Sequence, residues 1–404
     1  MLPEKPGGGV QAAPGAGVRP FTVGVAEEVL RDLRERLERT RWLDEVEGAG
    51  WDYGTSLVYL RELVTYWHAH FDWRAQERVI NQFTQYIATV DGFDIHFIHE
   101  RGKGPRPLPL VLTHGWPGSF FEMHKLIPLL TDPARFGADA ADAFDVIVPS
   151  LPGFGFSQRP RSAGMARERI VDLWAALMSE TLGYARFAAH GGDIGASITS
   201  GLGRRYPDRV LGIHLTAVAD PYLGPGAPEL SAAERAFVTL RERWEDDEGA
   251  YGHQQRTRPQ TLAHGLNDSP AGLASWIVEK FRAWSDCGGD VERRFTKDEL
   301  LTTIMIYWVT QTISSSIRLY YESRHHPLPP FSAGERITVP CGVVLTTEAA
   351  DHAPREWAER TYNVQRWTEL SRGGHFLALE EPELLAEELR AFFRPQRALA
   401  RARQ

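Results

Sequence analysis

A sharp turn between a short strand and a helix is the feature that most restricts how this chain can fold. Residues 185–189 predict a short apolar strand, and residues 196–206 predict a helix. The segment HGGDIG at 190–195 joins them and places small residues on both sides of Asp193. Glycines allow such a segment to bend tightly and to present its central side chain. The pattern predicts a strand–nucleophile–helix junction with an aspartate as the nucleophile.

An aspartate at this junction indicates a two-step reaction. A carboxylate can displace a leaving group at a saturated carbon, and the resulting ester is then hydrolysed at its own carbonyl. The alternative interpretation of Asp193 is an ordinary helix N-cap, because aspartate is favoured at that position. The GGDIG segment alone supports both interpretations about equally, so the rest of the chain has to decide between them.

Short apolar strands alternate with helices around this turn. Further strand-like runs occur at residues 108–113, 144–148, 210–217 and 337–345. This alternation is typical of a parallel sheet covered by helices on both faces. Together with the turn at Asp193 it predicts an α/β fold with the α/β-hydrolase core and a mostly parallel sheet. After residue 221 helical patterns at 230–245, 270–285 and 297–322 predict a helical cap domain over the carboxyl ends of the strands.

The segment before the sheet has a helical pattern of its own. Apolar residues recur at helical spacing between residues 25 and 41, and residues 1–18 are rich in glycine, proline and alanine. We therefore predict five segments: a flexible leader (1–18), an N-terminal helical wrapping segment (19–88), the first part of the hydrolase core (89–225), the helical cap (226–334) and the second part of the core (335–404).

Composition excludes several classes of partner. The net charge of −8 and the mixture of acidic and basic residues argue against a nucleic-acid partner, because no basic stripe is present to neutralise phosphates. Cys287 and Cys341 are the two cysteines, which fits a reducing cytoplasm better than a disulfide framework. No run of 18 apolar residues occurs, so we expect neither a membrane span nor a membrane anchor.

Chain order identifies a base among fourteen histidines. In this fold the nucleophile is followed by an acid and then by a histidine in a loop after the last strand. His375, in the segment RGGHF before the C-terminal helix, fits this order. The acid belongs in the loop after the strand at 337–345, where Glu348 and Asp351 both qualify and position favours Glu348. This acid would orient the imidazole and stabilise its positive charge.

Two backbone N–H groups are candidates for an oxyanion hole. One belongs to Ile194, the residue after the proposed nucleophile, and the other lies in the loop after the strand at 108–113. Trp116 is the available donor in that loop, because Pro117 has no N–H.

Several motifs in order resemble those of epoxide hydrolases of the microsomal type. The resemblance covers nearly the whole chain and includes the segments RPF (19–21), YWHAHFDW (66–73), DGFDIHFIHE (91–100), HGWPGSFFE (114–122), LPGFGFS (151–157), GGDIG (191–195), LNDSPAGLA (266–274) and RGGHFLALEEPELLAEELRAFF (372–393). It implies hydrolysis of an epoxide to a vicinal diol with water, without cofactor or metal. The family resemblance is also compatible with a homodimer.

The resemblance assigns roles to individual residues. It implies that Asp193 is the nucleophile, that His375 activates water, and that two cap tyrosines hold the epoxide oxygen. The matching positions are Tyr251 and Tyr320, although the sequence leaves Tyr321 open as an alternative to its neighbour. A neutral phenol suits the task because it donates a hydrogen bond to the opening oxygen.

This chain departs from the family pattern in the acid loop and after the nucleophile. Glu348 lies 375 − 348 = 27 residues before the histidine, as in the family, but counting forward from the strand places the acid at residue 349. Asp351 therefore stays open as the acid. Ile194 stands where mammalian members have tryptophan, so the pocket wall differs.

The loop TTEAADHAP at 346–354 and the GGDIG segment also resemble bacterial epoxide hydrolases that act on aryl epoxides in enediyne antibiotic biosynthesis. Two other functions fit the residues less well than epoxide hydrolysis. A haloalkane dehalogenase commonly needs a tryptophan after the nucleophile to bind halide, and Ile194 has no side-chain donor. A non-catalytic binding protein would not need both Asp193 and His375.

Overall fold

The computed structural model describes residues 17–348 and 352–402, with side chains as far as residue 397. Nearly all of the predicted leader and the alternative acid Asp351 lie outside the described residues. The strands, in chain order, are β1 (Val18–Phe21), β2 (Gln85–Val90), β3 (Phe93–Glu100), β4 (Leu108–Thr113), β5 (Phe144–Pro149), β6 (Phe187–Gly191), β7 (Val210–Leu215), β8 (Ile337–Leu345) and β9 (Tyr362–Glu369).

These strands form one sheet in the order β1-β2-β3-β5-β4-β6-β7-β8-β9. Pairing is antiparallel from β1 to β5 and parallel from β5 to β9. Every residue of β5, β6 and β7 is buried, because helices cover both faces of the central sheet. The predicted α/β-hydrolase core with a mostly parallel sheet is confirmed.

Besides short 3₁₀ and π turns, the described residues form fifteen α-helices: α1 (Glu27–Glu38), α2 (Leu57–Ala69), α3 (Trp73–Ile80), α4 (Leu126–Thr131), α5 (Arg167–Ala176), α6 (Ile194–Arg205), α7 (Ala232–Glu248), α8 (Ala250–Thr257), α9 (Pro259–Asp268), α10 (Pro270–Trp284), α11 (Lys297–Thr310), α12 (Ile313–His325), α13 (Arg355–Glu359), α14 (Leu377–Glu380) and α15 (Pro382–Ala402). Helices α7–α12 form the cap. Within the described parts of the chain no helix is long and apolar enough to cross a membrane.

The N-terminal segment combines helices with two strands. Helix α1 buries Leu30, Leu33 and Leu37, as its periodicity predicts, and packs on cap helix α10. Strand β1 pairs with β2, so this segment also extends the edge of the sheet. The sequence did not predict β1, because four residues are too few to show a periodic pattern.

The cap contains more helices than the sequence predicts. A single helix was expected over residues 297–322, but α11 ends at Thr310 because Gln311 adopts a left-handed conformation with φ of 53°. Helices α8 and α9 were also not predicted. Helix α10 begins as expected, with Ser269 as the N-cap and Pro270 in the first turn.

Candidate active site

The nucleophile turn follows directly from close backbone packing. Asp193 lies between β6 and α6 with φ of 49° and ψ of −126°, a conformation that a non-glycine residue rarely adopts. A Cβ atom at Gly195 would lie 2.0 Å from the carbonyl oxygen of Thr113, and one at Gly191 would lie 2.2 Å from the carbonyl oxygen of Gly195. Both positions therefore require glycine, and β4 packs tightly against the turn.

The two carboxylate oxygens of Asp193 have different neighbours. Oδ1 accepts a hydrogen bond of 2.9 Å from the backbone N–H of Trp116, in the loop after β4. Gly115 permits this approach, since a Cβ atom there would lie 2.2 Å from Oδ1. Oδ2 lies 3.8 Å from Nε2 of His375. One oxygen is therefore bound by the core, and the other faces the imidazole.

Ile194 is the first residue of α6 and is almost completely buried. Its N–H is one of the first four in the helix, which have no acceptor within the helix itself. Its predicted contribution to an oxyanion hole beside Trp116 stays a prediction.

Two elements hold the loop that carries His375. The backbone N–H of His375 donates to the carbonyl oxygen of Trp284, the last residue of α10, at 2.9 Å. The carboxylate of Glu380 accepts hydrogen bonds from the backbone N–H groups of Gly374 and Phe376. The Trp284 ring also lies beside the imidazole, with their centroids 5.1 Å apart. The loop of His375, the predicted base, is thus supported by the cap as well as by the core.

The predicted acid loop lies next to the histidine loop. The backbone N–H of Thr347 donates to the carbonyl oxygen of Gly373 at 2.8 Å, which joins the two loops. Glu348 lines the same cavity as Asp193 and His375. The assignment of Glu348 as the acid stays a prediction, and Asp351 lies outside the described residues.

The two predicted cap tyrosines meet above the nucleophile turn. Tyr251 of α8 stacks on Trp116 with ring centroids 5.4 Å apart, and Tyr320 of α12 lies 6.1 Å from both rings. Burial and the negative charge of Asp193 raise the pKa of Tyr251, so its phenol stays protonated at neutral pH. Burial, followed by the neighbouring Tyr251 and Asp193, also raises the pKa of Tyr320. Tyr321 is 37% exposed and stacks on His325, outside this cluster.

A cavity of about 560 Å³ opens beside these groups. Asp193, His375 and Tyr251 contribute to its lining, together with the rings of Trp244, Trp284 and Trp357. Leu223 and Val238 add apolar surface, and the lining also includes charged side chains: Asp220, Arg241, Glu242, Glu245, Arg256 and Glu348. The cavity lining therefore combines aromatic and apolar side chains with several charged ones.

Sequence reasoning missed Trp284 and Glu122 as members of the site. Glu122 ends the HGWPGSFFE motif and lines a small cavity next to Asp193 and His375. The motif itself was a signal, but it did not show where the carboxylate points. Among the described residues, no group of three or more His, Cys, Asp or Glu side chains could hold a metal ion.

The fold and this site define an α/β-hydrolase with an aspartate at the nucleophile turn. Residues 18–123 match the family model for the epoxide hydrolase N terminus, and residues 109–256 match that for the alpha/beta hydrolase fold. A homologue from Stigmatella aurantiaca named as an epoxide hydrolase is 44% identical over 95% of this chain and 86% of its own. Epoxide hydrolase 1 of Sus scrofa is 36% identical over 96% of this chain and 91% of its own.

A solved structure gives the same result. The juvenile hormone epoxide hydrolase of the silkworm Bombyx mori superposes with a TM-score of 0.82, at 30% identity and 96% coverage of both chains. The chain therefore belongs to the epoxide hydrolase family, and it is an enzyme of that class, as its motifs predict. The cytoplasmic location and the homodimer stay predictions.

Proposed function

We propose that this chain adds water to an epoxide and releases a vicinal diol through an ester formed on Asp193. The observation that carries the proposal is the asymmetric setting of the Asp193 carboxylate. Oδ1 accepts a hydrogen bond of 2.9 Å from the backbone N–H of Trp116. Oδ2 does not take part in this hydrogen bond and lies 3.8 Å from Nε2 of His375. A carboxylate held in this way has one oxygen to form a bond and one to take up charge.

In the first step, Oδ2 of Asp193 attacks one epoxide carbon. The carbon–oxygen bond of the ring breaks, and the opening oxygen takes a proton from one of the two tyrosines while the other donates a hydrogen bond. Their raised pKa values keep both phenols protonated before the reaction, so both can donate. The tyrosinate then recovers its proton from solvent.

In the second step, His375 removes a proton from water as the water oxygen attacks Cγ of Asp193. The negative charge that develops on Oδ1 is stabilised by the N–H groups of Trp116 and Ile194. Collapse of this intermediate breaks the bond between Cγ and the diol oxygen, which takes the proton from the imidazolium. Glu348 orients the imidazole and stabilises its positive charge. The acid left on Asp193 loses its proton to solvent.

The cavity supports a bulky apolar or aryl epoxide as substrate. Its volume of about 560 Å³ lies within the range of drug-sized ligand sites, and Trp284, Trp357 and Tyr251 line it. The resemblance of residues 191–195 and 346–354 to enzymes of enediyne biosynthesis supports an aryl epoxide from that chemistry. Haloalkane dehalogenation is less well supported, because Ile194 has no side-chain donor for halide and two tyrosines suit an epoxide oxygen.

Trapping of the ester tests this proposal directly. His375→Gln should still form the ester with styrene oxide, since attack by Asp193 needs no base, and its hydrolysis should slow by about 1,000-fold. Mass spectrometry of the intact protein should therefore show an adduct equal to the epoxide in mass. Asp193→Asn is the matched control, and it should form neither adduct nor diol while keeping its melting temperature. Diol formation by Asp193→Asn without deamidation would overturn the nucleophile assignment.

A further inference from the structure

A small second cavity lies against the catalytic pair. Its volume is about 20 Å³, which is enough for roughly one water molecule. Asp193 and His375 form part of its lining, and Glu122 and Thr216 supply further polar groups. The proposed mechanism needs a water in contact with both Asp193 and His375, and this cavity touches both.

Glu122 reaches the cavity because of its local backbone. It lies in the 3₁₀ turn Phe120–Met123, and Ser119 caps that turn by accepting the N–H of Phe121. A Cβ atom at Gly118 would lie 2.1 Å from Oε2 of Glu122. The carboxylate therefore occupies space that the missing side chain of Gly118 leaves open.

The carboxylate of Glu122 accepts no hydrogen bond from any described residue, in residues 17–348 or 352–397. The nearby phenol of Tyr307 donates instead to the carbonyl oxygen of Gly118, at 2.7 Å. Glu122 is only partly exposed and lines the small cavity, and a carboxylate in such a setting normally binds protein donors or ordered water. Glu380 illustrates the usual case, since it accepts backbone N–H groups from Asp286, Gly374 and Phe376. Glu122 thus has acceptor capacity for a water in the cavity.

The electrostatic setting of Glu122 couples it to the catalytic pair. Burial raises the pKa of Glu122 to about 7; the charge of His375 opposes this rise, and the charges of Asp193 and Glu380 add to it. Tyr307 also faces this carboxylate, and burial keeps its phenol protonated. His114 and His190 line the cavity, and burial lowers the pKa of each to about 4, so both are neutral at pH 7.

We propose that Glu122 binds the hydrolytic water and accepts its second proton. This inference rests on the proposed function. The water donates one hydrogen to Nε2 of His375 and the other to Glu122, which turns an oxygen lone pair towards Cγ of Asp193. After the diol leaves, the water oxygen remains on Asp193 as a hydroxyl. Its proton passes to the Glu122 carboxylate and then to solvent, and Asp193 becomes a carboxylate again. Both carboxyl groups return to their starting state.

Glu122→Gln tests this role because an amide keeps the size and the hydrogen bonding but neither ionises nor accepts the proton. Single-turnover experiments with styrene oxide should show unchanged ester formation and ester hydrolysis slowed by about 100-fold at pH 8. In the wild type, ester hydrolysis should fall as pH drops through about 7, because Glu122 takes up a proton there. The reaction also needs the His375 base in its unprotonated form. On the acid side of the profile, the logarithm of the wild-type rate of ester hydrolysis should rise with pH with a slope that approaches two, because two groups have to lose a proton. In Glu122→Gln the slope should approach one, because only His375 remains.

Two further variants separate this role from a structural one. Glu380→Gln removes another buried carboxylate next to His375, and it should lower the melting temperature while the slope of two remains. Glu122→Asp retains an ionisable carboxylate, so its pH profile should keep the slope of two. Its rate of ester hydrolysis should lie between those of the wild type and Glu122→Gln. This variant takes the place of Glu122→Gln if Glu122→Gln does not fold.

The outcomes against the proposal are distinct. The proposal is overturned if Glu122→Gln hydrolyses the ester as fast as the wild type does. It is also overturned if the variant slows ester formation and ester hydrolysis equally while the slope of the pH profile stays at two. If the wild type forms neither ester nor diol from any epoxide, the proposed function itself fails.

Discussion

The sheet side of the site is positioned by backbone, whereas the cap side is positioned by packed rings. On the sheet side, Asp193 is held by its own backbone conformation and by the N–H of Trp116, and the surrounding glycines are positions where a Cβ atom would lie about 2 Å from a neighbouring atom. On the cap side, Tyr251 and Tyr320 contact Trp116 and each other at centroid distances of 5.4–6.1 Å. Around Asp193 the close backbone packing tolerates almost no side-chain substitution. The ring packing on the cap side tolerates more. The backbone therefore allows little change around the Asp193 carboxylate, whereas the ring packing of the cap allows more variation in sequence.

The largest expected effect of this difference concerns two helical glycines. Gly195→Ala in α6 would place Cβ 2.0 Å from the Thr113 carbonyl oxygen, so we expect loss of activity and a severe loss of stability. The matched cap variant Gly265→Ala in α9 meets no atom within 4 Å. It should keep its activity and gain about 1 kcal/mol of stability, because alanine favours helices. Thermal melts and diol assays measure the stability and activity of both variants. An active and stable Gly195→Ala would contradict the view that backbone packing determines the sheet side of the site.

Loss of the cap donors should have an intermediate effect. Tyr251→Phe and Tyr320→Phe should each slow ester formation by about 100-fold, because each removes one donor to the opening oxygen. Folding should be retained, since the phenyl rings still pack. Tyr321→Phe is the control and should leave ester formation unchanged, because that side chain lies outside the cluster. Rapid-quench mass spectrometry measures the rate of ester formation. If Tyr320→Phe leaves this rate unchanged and Tyr321→Phe lowers it, Tyr321 and not Tyr320 is the donor.

The acid loop should show the smallest effect on catalysis. Glu348→Gln should slow ester hydrolysis by about tenfold and leave ester formation unchanged, because the acid only orients and stabilises the imidazole. Asp351→Asn should alter neither rate. Single-turnover kinetics of both variants and of the double variant measure any shared role as a non-additive effect. If the ester accumulates in Asp351→Asn but not in Glu348→Gln, Asp351 and not Glu348 is the acid that orients the imidazole.

The sequence predicts the backbone-determined side of the site better than the other. Chain order and the glycines around Asp193 were enough to identify Asp193, Trp116 and His375 as residues that the structure brings together. The choice between Tyr320 and Tyr321 depends on the three-dimensional structure, because successive helical residues point about 100° apart and the motif does not show which of the two faces the site. Glu122 was missed because its position depends on the space beside Gly118, which a motif does not reveal.

Some fold elements were missed for similar reasons. Strand β9 is only half-buried over most of its length, so its sequence lacks the apolar run that made the other core strands visible. The break between α11 and α12 depends on a single left-handed residue, Gln311, which carries no glycine-like signal. Both features follow from tertiary packing and backbone conformation, and neither follows from local composition.

The hydrogen bond from His375 to the carbonyl oxygen of Trp284 has a consequence for engineering by domain exchange. Trp284 ends cap helix α10, and a Cβ atom at Gly374 would lie 2.6 Å from the same carbonyl oxygen. A cap transplanted from a relative would therefore replace one support of His375, the proposed base, together with part of the cavity wall. Chimaeras that exchange α7–α12 need the donor's residues 372–376 as well, because the two segments form a single module.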